Sequence, residues 1–255
     1  MTSRERMLTA LNNGRPDCLP CQVHGWMGYY LKNYLGGMDQ WAAFEKFGMD
    51  FAIYVSPDYK FDTENAIYLG MDEPETLHHI LESIVRKTLR VSEMWVGTPA
   101  DMVEVGGGAG SSTVISPDFY REFGLPYDKR QNKLLHDAGL KVVNHFCGGL
   151  MPMLELAVES GADGLETMTP PAMGGDCNLK EASRRVGDKL FFIGGFDQNA
   201  GFERGTPENA RRQVFECFES TKDHAGYICC PSDHFFHGNP ENIQAFVDAC
   251  RECRY

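Results

Sequence analysis

The sequence lacks several features that would place it among membrane, secreted or nucleic-acid-binding proteins. It has no apolar run of about 18 residues, so we expect no membrane span. Its first residues are charged and lead into a helical pattern, which is unlike the apolar core of a signal peptide. It has only 24 Lys and Arg against 36 Asp and Glu, for a net charge of −12. Because this charge repels phosphates, we expect no nucleic-acid partner.

A secreted disulfide framework is also disfavoured. The nine cysteines, an odd number, indicate reduced thiols in a cytoplasmic protein. Two CxxC pairs, Cys18/Cys21 and Cys250/Cys253, could together form a four-cysteine zinc site. Residues three apart share one face of any helix, however, so the spacing of the second pair gives that site little support. The length of 255 residues favours a single domain spanning 1–255.

From residue 101 onward, predicted strands and helices alternate with short connections, which indicates βα units and a parallel sheet. The absence of GxGxxG after the first strand disfavours a dinucleotide-binding sheet. The strand candidates are 18–23, 50–55, 102–105, 142–147, 164–168, 190–196 and 225–230. A TIM (β/α)8 barrel needs eight, so either one βα unit is missing near residues 58–70 or a strand is hidden in 58–100. Residues 56–65 are predicted to form a loop.

Polar residues follow nearly every predicted strand, and this pattern favours the barrel over an open sheet. The C-terminal rim of a TIM barrel is where catalytic residues are found. The rim residues are His24, Glu104, His145, Cys147, Thr167, Asp197, Asp233 and His234.

The run Val142–Gly149 carries the most specific of these residues. Side chains two apart on a strand point the same way, so His145 and Cys147 can supply half of a tetrahedral zinc site. The alternative is a buried histidine beside a free cysteine.

Two other segments are candidate ligand-binding sites. The glycine run 106–110 lacks the Lys-Ser/Thr of a P-loop, so it is either a loop that lets a bulky ligand approach Gly107 and Gly108 or a flexible turn. His24 opens another rim loop and is either a substrate-binding residue or a loop histidine.

Several blocks, in order, resemble the uroporphyrinogen decarboxylase superfamily. They include RERMLTALNNGRPDCLP, SPDFYREFGLPYDKRQNKLLHDAGLKVVNHFCGG, ESGADGLETM, KLFFIGGFD, GTPENARRQV and GYICCPSDHF, and they cover residues 3–55 and 101–250. The resemblance implies a TIM barrel. Decarboxylases of this superfamily bind porphyrinogen carboxylates with arginines after the first strand, where this chain has CQVHGWMGYY. Since carboxylate recognition depends on guanidinium groups, their absence disfavours the decarboxylase branch.

The His-x-Cys pair resembles the other branch, the zinc methyltransferases that serve corrinoid proteins. That resemblance implies zinc bound by His145, Cys147 and a further cysteine after the last strand, nearer the position of Asp233 in this chain. Cys229 and Cys230 point to opposite faces, so only one can face the barrel interior, and we predict Cys230 as the third ligand. Alternative or fourth ligands follow in the chain: Asp233 and His234.

The function that we expect is a zinc-dependent methyltransferase working with a corrinoid protein. A small methylated compound, a thiol or tetrahydrofolate would be the other partner in the transfer. Asp197, Asp233 and His234 are the candidate general acids or orienting groups, although Asp197 could instead be a loop or N-cap carboxylate. The alternatives are a decarboxylase and a non-catalytic truncated barrel that acts as a partner subunit. A homodimer could cover the open edge of a shortened barrel.

Overall fold

Six parallel strands form one sheet in which the spatial order equals the order along the chain. The computed structural model describes residues 1–51, 54–55, 63–224 and 226–255. The strands are β1 (Tyr54–Val55), β2 (Met102–Gly106), β3 (Lys141–His145), β4 (Gly164–Thr167), β5 (Phe191–Phe196) and β6 (Tyr227–Pro231). All connections between neighbouring strands are therefore crossovers that run outside the sheet.

Helices form the layer around the sheet. They are α1 (Ser3–Leu11), α2 (Gly28–Tyr34), α3 (Gln40–Phe47), α4 (Thr63–Asp72), α5 (Pro74–Glu93), α6 (Pro117–Phe123), α7 (Leu125–Asp137), α8 (Leu154–Glu159), α9 (Leu179–Val186), α10 (Pro207–Thr221) and α11 (Pro240–Glu252). Their starts follow local chemistry: Thr206, for example, forms a capping box with Asn209 and is followed by a first-turn proline. Of the helices in the described residues, none combines the length and apolar character that crossing a membrane requires.

The ring of strands is closed through the segment around Cys21. Cys21 forms a parallel bridge with Cys229 of β6, and its carbonyl accepts a hydrogen bond of 2.8 Å from the Asp50 N–H, just before β1. The described residues thus provide seven positions around the ring. The prediction of a TIM-type α/β barrel is confirmed, and a barrel short of one βα unit is consistent with this count.

The structure corrects several predicted boundaries. The expected strand 18–23 is reduced to a bridge at Cys21, because Pro20 has no N–H to donate to a ladder. Helix α4 begins at Thr63, inside the predicted loop 56–65, whose first residues lie outside the described ones. Of the predicted strand 50–55, β1 occupies the last two residues, and residues 52–53 are likewise outside the described ones.

The barrel interior is apolar at one end. Met7 and Leu11 of α1 pack with strand residues that face inward, among them Met102, Val143 and Cys230. The alternate residues of the same strands face the helices. The polar strand residues described below lie farther along the strands, so the fold separates an apolar, stabilising end from a polar end at the carboxyl termini of the strands.

A hydrogen bond joins helices α6 and α7, and the burial of its acceptor, Asp128, makes stability depend on pH. The Tyr120 hydroxyl donates to Asp128 Oδ2 at 2.5 Å, yet burial raises the pKa of Asp128 to about 6. Because this pKa lies above that of the unfolded chain, the contribution of Asp128 to stability is fully present below about pH 4 and is lost as pH rises through 6.

Asp128→Asn keeps an oxygen that can accept from Tyr120 but removes the charge. We expect the variant to be more stable than the wild type at pH 7 by about 1–3 kcal/mol, and to lose the fall in stability between about pH 4 and pH 7. Urea denaturation across this range measures the difference. Parallel pH profiles of the two proteins would contradict the assignment.

Candidate active site

Four side chains converge at the polar end of the barrel, and we call them the His/Glu cluster: His24, Glu104, His145 and Glu166. Each offers one donor atom such that the four atoms lie within 4.8 Å of one another. His145 Nδ1 lies 2.8 Å from Glu166 Oε1 and 3.7 Å from Glu104 Oε1. His24 Nε2 lies 3.7 Å from Glu104 Oε2, and His24 Nδ1 lies 3.8 Å from Glu166 Oε2.

The parallel register of β2, β3 and β4 builds this cluster. His145 is the last residue of β3, and it is paired with Gly106 of β2 on one side and Glu166 of β4 on the other. Glu104 lies two residues before Gly106, the residue of β2 that is paired with His145. Its side chain therefore points to the same face of the sheet as that of His145. His24 joins from the segment that follows the Cys21 bridge.

The surroundings of Glu104 strongly favour its protonated form. Burial, reinforced by the neighbouring charge of Glu166, raises the pKa of Glu104 to about 7. Glu104 Oε2 is buried and has no hydrogen-bond partner within the described residues. An unsatisfied buried carboxylate oxygen beside a second carboxylate is costly unless a cation or a proton balances it.

The pKa values of the two imidazoles are shifted in opposite directions. Burial alone would lower the pKa of His145, but hydrogen bonds with Cys147 and Glu166 outweigh it and raise the pKa to about 11. For His24, burial prevails and lowers the pKa, although the Glu104 charge opposes this change. His24 is therefore the neutral imidazole of the cluster. His145 is the positively charged one as long as no other cation balances the carboxylates.

This donor set fits a divalent metal ion such as zinc. Imidazole nitrogen and carboxylate oxygen are both common zinc ligands, and the partnerless Glu104 oxygen is accounted for if it faces a cation. The paired carboxylates would also compensate the positive charge of the ion. Within the described parts of the chain, no other group of three or more His, Cys, Asp and Glu side chains has this spacing.

The predicted cysteine ligands lie outside the His/Glu cluster. Cys147 is exposed and close enough to His145 to form a hydrogen bond that raises the histidine's pKa. Cys230 faces the barrel interior as predicted, with burial and then the charge of Glu166 holding its pKa well above the ordinary value. Cys229 faces the helices beside Cys217. The roles of Cys147 and Cys230 as metal ligands stay predictions.

The three predicted catalytic residues are placed differently. The exposed His234 ring lies 4.9 Å from the His24 ring, centroid to centroid, and so borders the cluster. Asp233 is exposed, and its Oδ1 accepts the His234 N–H at 2.7 Å. Asp197 is elsewhere: its Oδ1 accepts the Ala200 N–H at 3.0 Å, as in the loop-carboxylate alternative.

The backbone conformation at the end of β5 explains why Asp197 lies outside the cluster. Gly194 and Gly195, which precede it in β5, have φ values of +123° and +86°. Positive φ at two consecutive residues interrupts the alternation of side chains along the strand. The backbone N–H of Asp197 consequently donates to Gln213 Oε1 of α10 at 3.1 Å, and its carboxylate accepts from Ala200 in the loop.

The predicted binding glycines pass close to the cluster. The Gly107 N–H donates to the His145 carbonyl at 2.9 Å, and a Cβ on Gly108 would lie 2.8 Å from Cys147 Sγ. Both glycines also line a cavity of about 540 Å³, and none of the four cluster residues is among its described lining. The glycine run thus lets the backbone approach β3 closely and contacts both the cluster and the cavity.

The sequence predicts only His145 of this cluster as a metal ligand. It predicts His24 as a substrate-binding or loop residue and Glu104 as a rim residue, and it gives Glu166 no role. The available signal is a glutamate in the strand Gly164–Thr167, all of whose residues are buried. A charged residue in such a strand is rare unless it is paired or binds a metal.

Comparisons with known proteins agree on the family and the fold. The family pattern of uroporphyrinogen decarboxylase (URO-D) matches residues 51–253. A methyltransferase structure from Methanosarcina mazei is similar with a TM-score of 0.66 and 19% identity, covering 83% of this chain and 61% of that one. At this identity, the similarity concerns the fold.

Two named kinds of relative occur among the sequence matches. A methylated-thiol–coenzyme M methyltransferase from Methanosarcina mazei is 26% identical over 190 residues, which are 74% of this chain and 48% of the relative. A uroporphyrinogen decarboxylase from Thioalkalivibrio sulfidiphilus is 31% identical over 185 residues, 69% of this chain and 49% of the relative. The chain therefore spans about half the length of the curated relatives that it matches.

Proposed function

Because the chain belongs to the uroporphyrinogen decarboxylase family, we propose that it is a metal-dependent methyltransferase of that family. It would move a methyl group between a small compound and the cobalt of a corrinoid carried by a partner protein. The observation that carries this proposal is the His/Glu cluster at the carboxyl ends of β2, β3 and β4. A methylated-thiol–coenzyme M methyltransferase among the relatives supports the same reaction class.

The metal would be zinc, held by His145 together with Glu166, Glu104 and His24. His145 is common to this donor set and to the predicted set of His145, Cys147 and Cys230. Bound zinc would supply a Lewis acid that stabilises a thiolate or the electron pair left on a heteroatom when its methyl group departs.

The residues of the chain have distinct tasks around that centre. Glu166 orients His145 through the 2.8 Å contact at Nδ1. Glu104 would offer to the metal its Oε2 atom, which has no hydrogen-bond partner within the described residues. His234, exposed beside His24, can exchange protons between this site and solvent. Asp233 would orient His234, and Asp197 has no part in this mechanism.

The geometry favours methyl transfer over decarboxylation of a porphyrinogen. Two of the four cluster side chains are carboxylates, and the chain carries a net charge of −12. A substrate with many carboxylates would be repelled here, whereas a neutral thiol, ether or corrinoid face would not. The corrinoid protein, the identity of the small substrate and a homodimer that covers the barrel edge are parts of the proposal.

Methyl transfer can be measured with zinc-loaded protein, methylcobalamin and a small thiol such as coenzyme M. We expect the thiol to be methylated as methylcobalamin absorbance is lost, and His145→Ala to be slower by about 100-fold or more. His136→Ala removes a surface histidine paired with Asp163 and should leave the rate unchanged. Equal rates in the His145 variant and the wild type, or decarboxylation of a porphyrinogen by the wild type, would contradict the proposal.

A further inference from the structure

The cavity beside the glycine run has a lining that is unusual for a mere packing defect. It encloses about 540 Å³ between Gly106–Gly110 and helices α4, α5 and α6, which lies in the ordinary size range of small-molecule sites. Its walls are apolar, and four of them are aromatic rings: Phe119, Tyr120, Phe123 and Phe146. The Phe119 and Phe123 centroids are 4.7 Å apart, and Tyr120 meets Phe146 edge-on at 5.6 Å.

Among the described residues, one carboxylate lines this aromatic cavity. Asp128 lines it, and the Tyr120 hydroxyl is bound to Asp128 Oδ2. A carboxylate has about four lone-pair positions, so this single bond leaves most of its acceptor capacity for a ligand. The nearest positive side chains of α7 do not neutralise it: Lys129 is paired with Glu159, and Arg130 with Glu82.

Aromatic faces together with one carboxylate are complementary to an alkylated cation. The rings attract positive charge through their quadrupoles, their faces pack against alkyl groups, and the carboxylate supplies the counter-charge. An anion would meet Asp128 unfavourably, and a neutral apolar molecule would leave the carboxylate unbalanced. A charged group kept where it destabilises the fold is also a common mark of a binding site.

We propose that this cavity is a binding site for a small alkylated ammonium ion, with Asp128 as its counter-ion. The proposal concerns binding and does not depend on the methyl-transfer reaction. The cavity nevertheless borders the His/Glu cluster, because the Gly107 backbone that lines it is hydrogen-bonded to His145. A ligand there would lie against the same glycine run that contacts the candidate active site.

Choline and 3,3-dimethylbutan-1-ol test the proposal, since the two molecules have nearly the same shape and differ in charge. Titration calorimetry on the full chain should show choline binding at least about tenfold more tightly than the neutral alcohol. Asp128→Asn should lower the choline affinity at least about tenfold and abolish the preference. Phe119→Leu, which keeps the wall apolar, should weaken choline binding several-fold and leave binding of the alcohol unchanged.

A matched control is Asp137→Asn at the end of α7, whose exposed carboxylate is paired with Lys133. It should bind choline as the wild type does. Circular dichroism establishes that each variant is folded. Equal affinities for choline and the alcohol in the wild type, no binding of choline, or unchanged choline binding in Asp128→Asn would each overturn the proposal. Choline binding without methyl transfer would leave it standing and would count against the proposed function alone.

Discussion

His145→Ala is expected to reduce the zinc content of the purified protein from about one ion per chain to far less than one. His145 is the residue through which the cluster is assembled: it lies 2.8 Å from Glu166 and 3.7 Å from Glu104. Its loss removes a nitrogen donor and the imidazole that makes the shortest contact with Glu166. Since loss of even a supporting partner of a zinc ligand costs about 10–100-fold in affinity, we expect at least 100-fold here.

Metal analysis after dialysis against a weak chelator, followed by competition titration, measures the effect. His136→Ala is the matched control, because that histidine is on the surface and 38% exposed. It should retain wild-type zinc. Wild-type zinc content in the His145→Ala protein would show that the cluster is not the metal site.

Glu166→Gln and Cys147→Ser separate the two possible donor sets. Glu166 is buried inside the cluster, so Gln at this position should lower the zinc affinity about 10–100-fold. Cys147 lies outside the cluster and is exposed, so Ser should have a smaller effect. The reverse order of effects would assign the metal to His145, Cys147 and Cys230 instead.

The barrel was predictable from the sequence because its signals are local. Strand and helix periods alternate after residue 101, and caps such as Thr206 mark where helices begin. His145 was predictable for the same reason: it ends an apolar β-branched run, and alternation along one strand fixes its direction. The orientation of Cys230 into the interior likewise follows from alternation within a single strand.

The composition of the cluster was not predictable, because it depends on register between strands. Glu104 and Glu166 meet His145 only because β2, β3 and β4 are aligned as they are, and one residue of slip would turn both carboxylates toward the helices. Asp197 shows the opposite case. Its position after β5 is right for the rim, but two left-handed glycines redirect it.

The closure of the barrel at Cys21, which we call the seam, should be as sensitive to mutation as the His/Glu cluster. A buried network of charged side chains holds the seam closed. Asp50 is fully buried, and its carboxylate lies 2.6 Å from Arg6 Nη1 and 2.9 Å from Arg251 Nη1. Its Oδ2 also accepts the Cys21 N–H at 3.2 Å. One side chain therefore ties α1, α11 and the Cys21 segment together. Removing one partner of a buried ion pair leaves the others without compensation.

Asp50→Asn is expected to lower the free energy of unfolding by about 3–5 kcal/mol, measured by urea denaturation. Asp137→Asn, an exposed carboxylate paired with Lys133, should change it by no more than about 0.5 kcal/mol. A loss below 1 kcal/mol for Asp50→Asn would show that the network contributes little to the seam.

Asp50→Asn should also weaken metal binding, because His24 lies three residues after the Cys21 bridge. If the seam positions His24, Asp50→Asn lowers zinc affinity as well as stability, and saturating zinc restores part of the lost stability because it binds the folded state alone. A destabilised variant that retained wild-type zinc affinity would mean that β2, β3 and β4 suffice to hold the ion, with His24 a neighbour rather than a ligand.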